Sequence, residues 1–159
     1  MSWGFIVDLQ VRVETKTYKA LKRRRVAEFG LPVGWTGFSD AQLVAAFDPS
    51  IDEGLTFARA LKVFAEGVVL ETNDGEVTSL RVVCDLDRSL LEHAGLLAAL
   101  LIGAGEGTLS LVNDGTYTGE DGSVLWVEKG KLFAKKLSQH AEKLEELHTV
   151  LLQKLIASD

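Results

Sequence analysis

Residues 3–14 alternate, with Ile6 between Phe5 and Val7 as the exception. Phe5, Val7, Leu9, Val11 and Val13 are apolar, and Asp8, Gln10, Arg12 and Glu14 stand between them. A period of two over this length predicts a strand with one face buried and the other wet. The period then changes. Tyr18, Leu21 and Val26 form a sparse stripe that predicts a helix over 16–28, which includes the cationic run Lys22-Arg23-Arg24-Arg25. Residues 30–37 read as a glycine-rich loop. Ser39 has the character of an N-cap for a short helix carrying Leu43, Ala46 and Phe47, which Asp48-Pro49 stops. Leu55, Ala58, Leu61 and Ala65 are in helical phase and predict a helix over 53–66 that ends at Gly67.

A hairpin follows. Val68 to Thr72 lead into Asn73-Asp74-Gly75, and 76–84 return. Asn and Gly tolerate the positive φ of tight turns. Ser89 and Glu92 have capping-box spacing ahead of a helix that runs to Ile102 and is apolar on nearly every side. Residues 108–112 and 124–127 read as two further strands, with Asn113-Asp114-Gly115 as the turn after the first. The spacing of Phe133, Leu137, His140, Leu144, Leu147, Leu151 and Leu155 predicts one long terminal helix over 131–157. Gly67…Asn73-Asp74-Gly75 recurs as Gly107…Asn113-Asp114-Gly115, a faint echo forty residues on.

These elements amount to an α+β fold: a mostly antiparallel sheet of about five strands, with helices on one face and a long C-terminal helix. With 159 residues and no dividing linker, a single globular domain over 1–159 is expected.

Composition narrows the function. Apolar residues are 47% of the chain, which is enough for a core of its own. The longest apolar run, 94–104, is too short to cross a bilayer. The start, Met1-Ser2-Trp3-Gly4-Phe5, lacks the basic stretch and cleavage site of a secretory leader. A single cysteine, Cys84, permits no internal disulfide. A cytoplasmic location and no membrane partner are therefore expected. Charge is uneven: residues 40–128 hold sixteen acids against four bases, a net −12, inside a total of −6. Such a body repels nucleic acid and attracts a basic protein.

Candidate chemistry is sparse. Asp85 and Asp87 follow an apolar strand, a place where a carboxylate pair can hold a divalent cation, although an acid ahead of a helix start also suits the helix dipole. Gly103 to Gly107 run from helix to strand, the reverse of a phosphate loop. His140 and His148 are eight apart, and His93 lies on another helix, so no histidine pair has metal-binding spacing. Cys84 sits inside a Val-Val strand, as small buried hydrophobes do. No catalytic residue, metal site or cofactor is expected.

Interaction chemistry is better represented. Trp35 lies in the glycine-rich segment 34–38, where an aromatic can serve as an anchor. Acids cluster at the two turns, Asp74 and Glu76 at one and Asp114, Glu120 and Asp121 at the other. Together these six residues form the expected partner-binding set. The stripe of the terminal helix also offers a seam for a homodimer. The expectation is a small acidic binding protein that inhibits a basic partner. Bacterial immunity proteins, which neutralise a cognate toxin, share this profile of size and composition. The alternatives are a metal-dependent enzyme using Asp85 and Asp87, and a ligand-binding or oligomeric scaffold.

Overall fold

The structure is a computed structural model that describes residues 4–26, 54–87, 91–113, 122–129 and 131–157. The alternating segment becomes the long strand β1 (Gly4–Glu14) and leads directly into helix α1 (Thr15–Arg23). A short helix α2 (Phe57–Ala60) and a 3-10 turn (Leu61–Phe64) precede the hairpin of β2 (Val68–Asn73) and β3 (Val77–Asp87). Helix α3 (Leu91–Ala104), strands β4 (Gly107–Asn113), β5 (Gly122–Glu128) and β6 (Lys131–Lys136), and helix α4 (His140–Ala157) complete the chain. The six strands form one sheet in the order β2-β3-β1-β4-β5-β6, with every neighbouring pair antiparallel.

The α+β class with an antiparallel sheet agrees with the sequence reading, but the strands number six rather than five. The additional strand is β6, which falls in the first part of the expected 131–157 helix. Lys129 takes φ 51° and reverses the chain, so Glu128 faces Lys131 and Ser123 faces Lys136. Lys, Leu and Ala in 131–136 favour a helix locally. Pairing with β5 overrides that preference, because it satisfies a row of backbone groups and stacks Phe133 on Trp126 with centroids 5.9 Å apart. Phe133 and Leu137 therefore do not belong to the helical stripe.

The helix expected over 53–66 also differs in length and phase. Phe57, Ala60 and Phe64 are its buried residues, while Ala58 and Ala65 are exposed. The two aromatic rings remove far more apolar surface from water than the alanines would, and they set which side turns inward. The helix expected over 16–28 ends at Arg24, whose backbone is extended (φ −76°, ψ 152°), and Val26 is buried beyond it.

Helices α1, α2 and α3 share one face of the sheet. Val7, Leu9, Val11 and Val13 of β1 meet Tyr18, Leu21, Phe57, Phe64 and the buried centre of α3, residues 97–101. Helix α4 crosses the other face. There Ile6, Val68, Val83 and Val112 lie beneath Leu147, flanked by Leu144, Val150 and Leu151. This second layer covers the end of the sheet where β1 begins, so the polar side of β1 is wet only from Gln10 onward.

Glycine explains part of the internal echo. A Cβ on Gly107 would stand 2.1 Å from the Gln10 carbonyl oxygen, and one on Gly67 would stand 2.4 Å from that of Val83. Each strand of the echo begins where two backbones approach too closely for any side chain.

Candidate interaction site

The β2–β3 turn is held from inside by its own side chains. Asp74 Oδ1 accepts hydrogen bonds from the backbone N–H of Val77 (2.8 Å) and of Glu76 (3.2 Å), and Asn73 Oδ1 accepts one from Gly75 N–H (2.7 Å). The bonds from Val77 and Glu76 keep the Asp74 carboxyl below its ordinary value, and the Arg12 charge adds to this. Gly75 takes φ 99°, which only glycine adopts without strain.

The turn is also tied to the body of the fold. The Glu76 carbonyl accepts the first N–H of α1, from Thr15, at 2.8 Å. The Thr15 hydroxyl lies 2.9 Å from that of Thr78 and donates to Asn73 Oδ1 at 3.2 Å. These contacts take the place of a capping side chain for α1, since Glu14 makes no such bond. On β2, Glu71 accepts a hydrogen bond from the Tyr18 hydroxyl. Burial and that carboxylate push the Tyr18 hydroxyl well above its ordinary value. Glu71, Asp74 and Glu76 are thus exposed acids on a braced corner.

The strand that leads toward the second expected acidic turn ends away from this corner. β4 ends at Asn113, which faces Phe5, whereas Asn73 faces Thr78, and Thr78 faces Val13. The two strand ends are separated by the length of β1 from Phe5 to Val13, about 27 Å at the usual rise per residue. Asp114, Glu120 and Asp121 themselves lie outside the described residues, as does Trp35.

A polar centre that sequence reading missed lies under α4. The alternation places Asp8 on the wet face of β1, yet its side chain is fully buried. Its carboxylate accepts from Arg81 Nε at 3.0 Å and Nη2 at 3.3 Å, from Lys143 Nζ at 2.7 Å and from Gln10 Nε2 at 3.1 Å. Burial by itself raises the Asp8 carboxyl, but the hydrogen bonds and charges of Arg81 and Lys143 outweigh it and hold the group below its ordinary value. Glu146 extends the cluster at 3.4 Å from Arg81 Nη2. A faint signal existed: Lys143 stands beside Leu144 and in phase with His140 and Leu147, on the side of the helix that packs inward.

Two further polar ties pin the same helix. His140 Nε2 is 3.0 Å from the Asn113 carbonyl oxygen and donates to it, and Lys154 Nζ donates to the carbonyls of Ala65 and Gly67. With the buried Asp8 carboxylate bonded by Arg81, Lys143 and Gln10, the cluster reads as the fastening of α4.

The remaining candidates are dispersed. Asp85 is exposed at the end of β3. No group of three or more His, Cys, Asp or Glu side chains suited to a metal occurs among the described residues. Cys84 is buried, and burial raises its thiol above the ordinary value, with the Asp85 and Glu66 charges adding to this. Gly105 takes φ 79° and its N–H bonds the Leu101 carbonyl, so the glycine-rich segment closes the C-terminus of α3 and has no helix N-terminus to offer an anion. The inner stripe of α4 (Leu144, Leu147, Leu151) packs on the protein's own sheet. No helix of the described residues is long and apolar enough to cross a membrane. No protein family, curated protein or solved structure matches the chain.

Proposed function

We propose that this chain is a protein-binding module that engages and inhibits a basic protein partner, acting in the cytoplasm as an immunity protein acts on a toxin. The observation that carries the reading is the braced acidic corner of the β2–β3 turn. Asp74 is kept ionised by backbone N–H groups, and the tip is tied to α1 through Thr15, so little ordering remains to be done when a cation arrives. The net −12 of residues 40–128 supports the reading further, because a field of one sign speeds encounter with an opposite charge.

Asp74 has a structural duty as well, so charge reversal there would confound binding with folding. Asp74→Asn keeps the Oδ1 acceptor and removes the charge, and Glu76→Lys reverses an exposed charge. The test is to capture the partner from native-host extract and measure association of wild type and of these variants across a salt series. Both variants are expected to slow association, and added salt is expected to shrink the difference. Trp35→Ala is expected to speed dissociation, as the loss of an anchor does. An acidic partner, or kinetics unchanged by all three substitutions, would overturn the proposal.

A further inference from the structure

We infer that the two outer edges of the sheet are complementary to each other, so that a second copy of this chain docks its β6 against β2 and continues the sheet head to tail. Among the described strands β2 and β6 are outermost, and each is six residues long. In an antiparallel sheet of six strands the two edges run in opposite directions. β6 of one copy therefore meets β2 of the next as an ordinary antiparallel neighbour, related by translation and sheet twist.

Charge separates the two edges. Residues 63–80 contain Glu66, Glu71, Asp74 and Glu76 and no Lys or Arg, and all four acids are exposed. Residues 129–136 contain Lys129, Lys131, Lys135 and Lys136 and no acid. Pairing of two like edges brings together segments of the same net charge, whereas pairing of unlike edges brings together segments of opposite net charge. A second copy of this chain thus carries the edge that each edge fits.

The exposed apolar side chains agree in position. Leu70 faces Arg81, which faces Gln10, and the same row runs on through Thr108 and Trp126 to Phe133. Leu70 is 55% exposed and Phe133 41% exposed, at opposite ends of one row on one face. Continuing the row into the next copy places Phe133 against Leu70, and both lose their water. The contact is heterologous, so it closes into a ring or extends into a filament. Nothing in it depends on the basic partner proposed above.

The test uses Leu70→Lys, which blocks only the β2 edge, and Phe133→Lys, which blocks only the β6 edge. Both positions are exposed, but Phe133 also stacks on Trp126, so Lys136→Glu is run beside Phe133→Lys as a β6-edge variant that keeps the stack, with unchanged circular dichroism and melting temperature required of each. Mass is read by light scattering on size exclusion over a concentration series at low salt. Wild type is expected to associate as concentration rises and to dissociate as salt is added. Each variant alone is expected to remain monomeric, and a 1:1 mixture of Leu70→Lys with either β6-edge variant is expected to form dimers and nothing larger, through the one intact edge pair. A wild type that stays monomeric at its highest soluble concentration would overturn the inference. So would a single variant that still self-associates, or a mixture that does not dimerise while wild type does.

Discussion

Asp8→Asn is the substitution that probes the fastening of α4 most directly. The amide keeps the shape of the side chain but withdraws the charge that Arg81 and Lys143 face at 3.0 and 2.7 Å. Removing one partner of a buried ion pair costs about 3–5 kcal/mol, because the remaining charge is stranded. The stranded cations are not sealed here: their side chains are 28% and 19% exposed and can turn partly to water. A loss of about 2–3 kcal/mol is therefore expected for Asp8→Asn. Urea unfolding followed by circular dichroism measures it at pH 7. Lys143→Met and the double variant complete a cycle, in which a coupling above about 1 kcal/mol is expected for groups in direct contact.

The sign of the pH dependence follows from the lowered Asp8 carboxyl. A carboxyl whose folded value lies below its unfolded value stabilises the fold above the unfolded value of ~3.9, and this contribution is lost as pH falls through the folded value. The stability gap between wild type and Asp8→Asn is thus constant near neutrality and closes below about pH 4. A loss under ~0.5 kcal/mol, the level of an ordinary surface substitution, or a gap that does not close in acid, would refute the view that this cluster fastens the helix.

Other outcomes follow from the same structure. Leu97→Ala and Leu100→Ala, in the buried centre of α3, should each cost about 2–5 kcal/mol in the same urea assay. Gly107→Ala forces a Cβ to within 2.1 Å of a backbone oxygen at φ 136°, and a loss of more than about 2 kcal/mol is expected in urea unfolding. Asp74→Ala should lower the melting temperature more than Asp74→Asn, because only the amide still accepts the turn's N–H groups. Cys84 should be alkylated by iodoacetamide far more slowly than a model thiol at pH 8 and should react freely in urea, since burial both hides the thiol and raises its value.

Local chemistry along the chain sufficed for much of this molecule. Alternation specified β1 and its inward residues, because a strand places every second side chain on the same face. Asn73-Asp74-Gly75 specified a turn, since those side chains close it by themselves. The all-round apolar character of 94–102 marked the buried helix, and its residues 97–101 are indeed enclosed. What failed were the questions that depend on a distant neighbour. Residues 131–136 carry helix-forming side chains, yet they pair as a strand because β5 offers an unfilled edge and Trp126 a stacking surface. Asp8 looks like one more solvent-facing acid until α4, more than 130 residues on, places Lys143 against it. The separation of the ends of β2 and β4 was likewise invisible, since it depends on β4 running antiparallel to β1, which brings Asn113 beside Phe5 while Asn73 ends level with Val13. Pattern along a chain reports which face of an element is apolar. Which element comes to cover the other face is settled by long-range packing, where buried area and paired charge outweigh local preference.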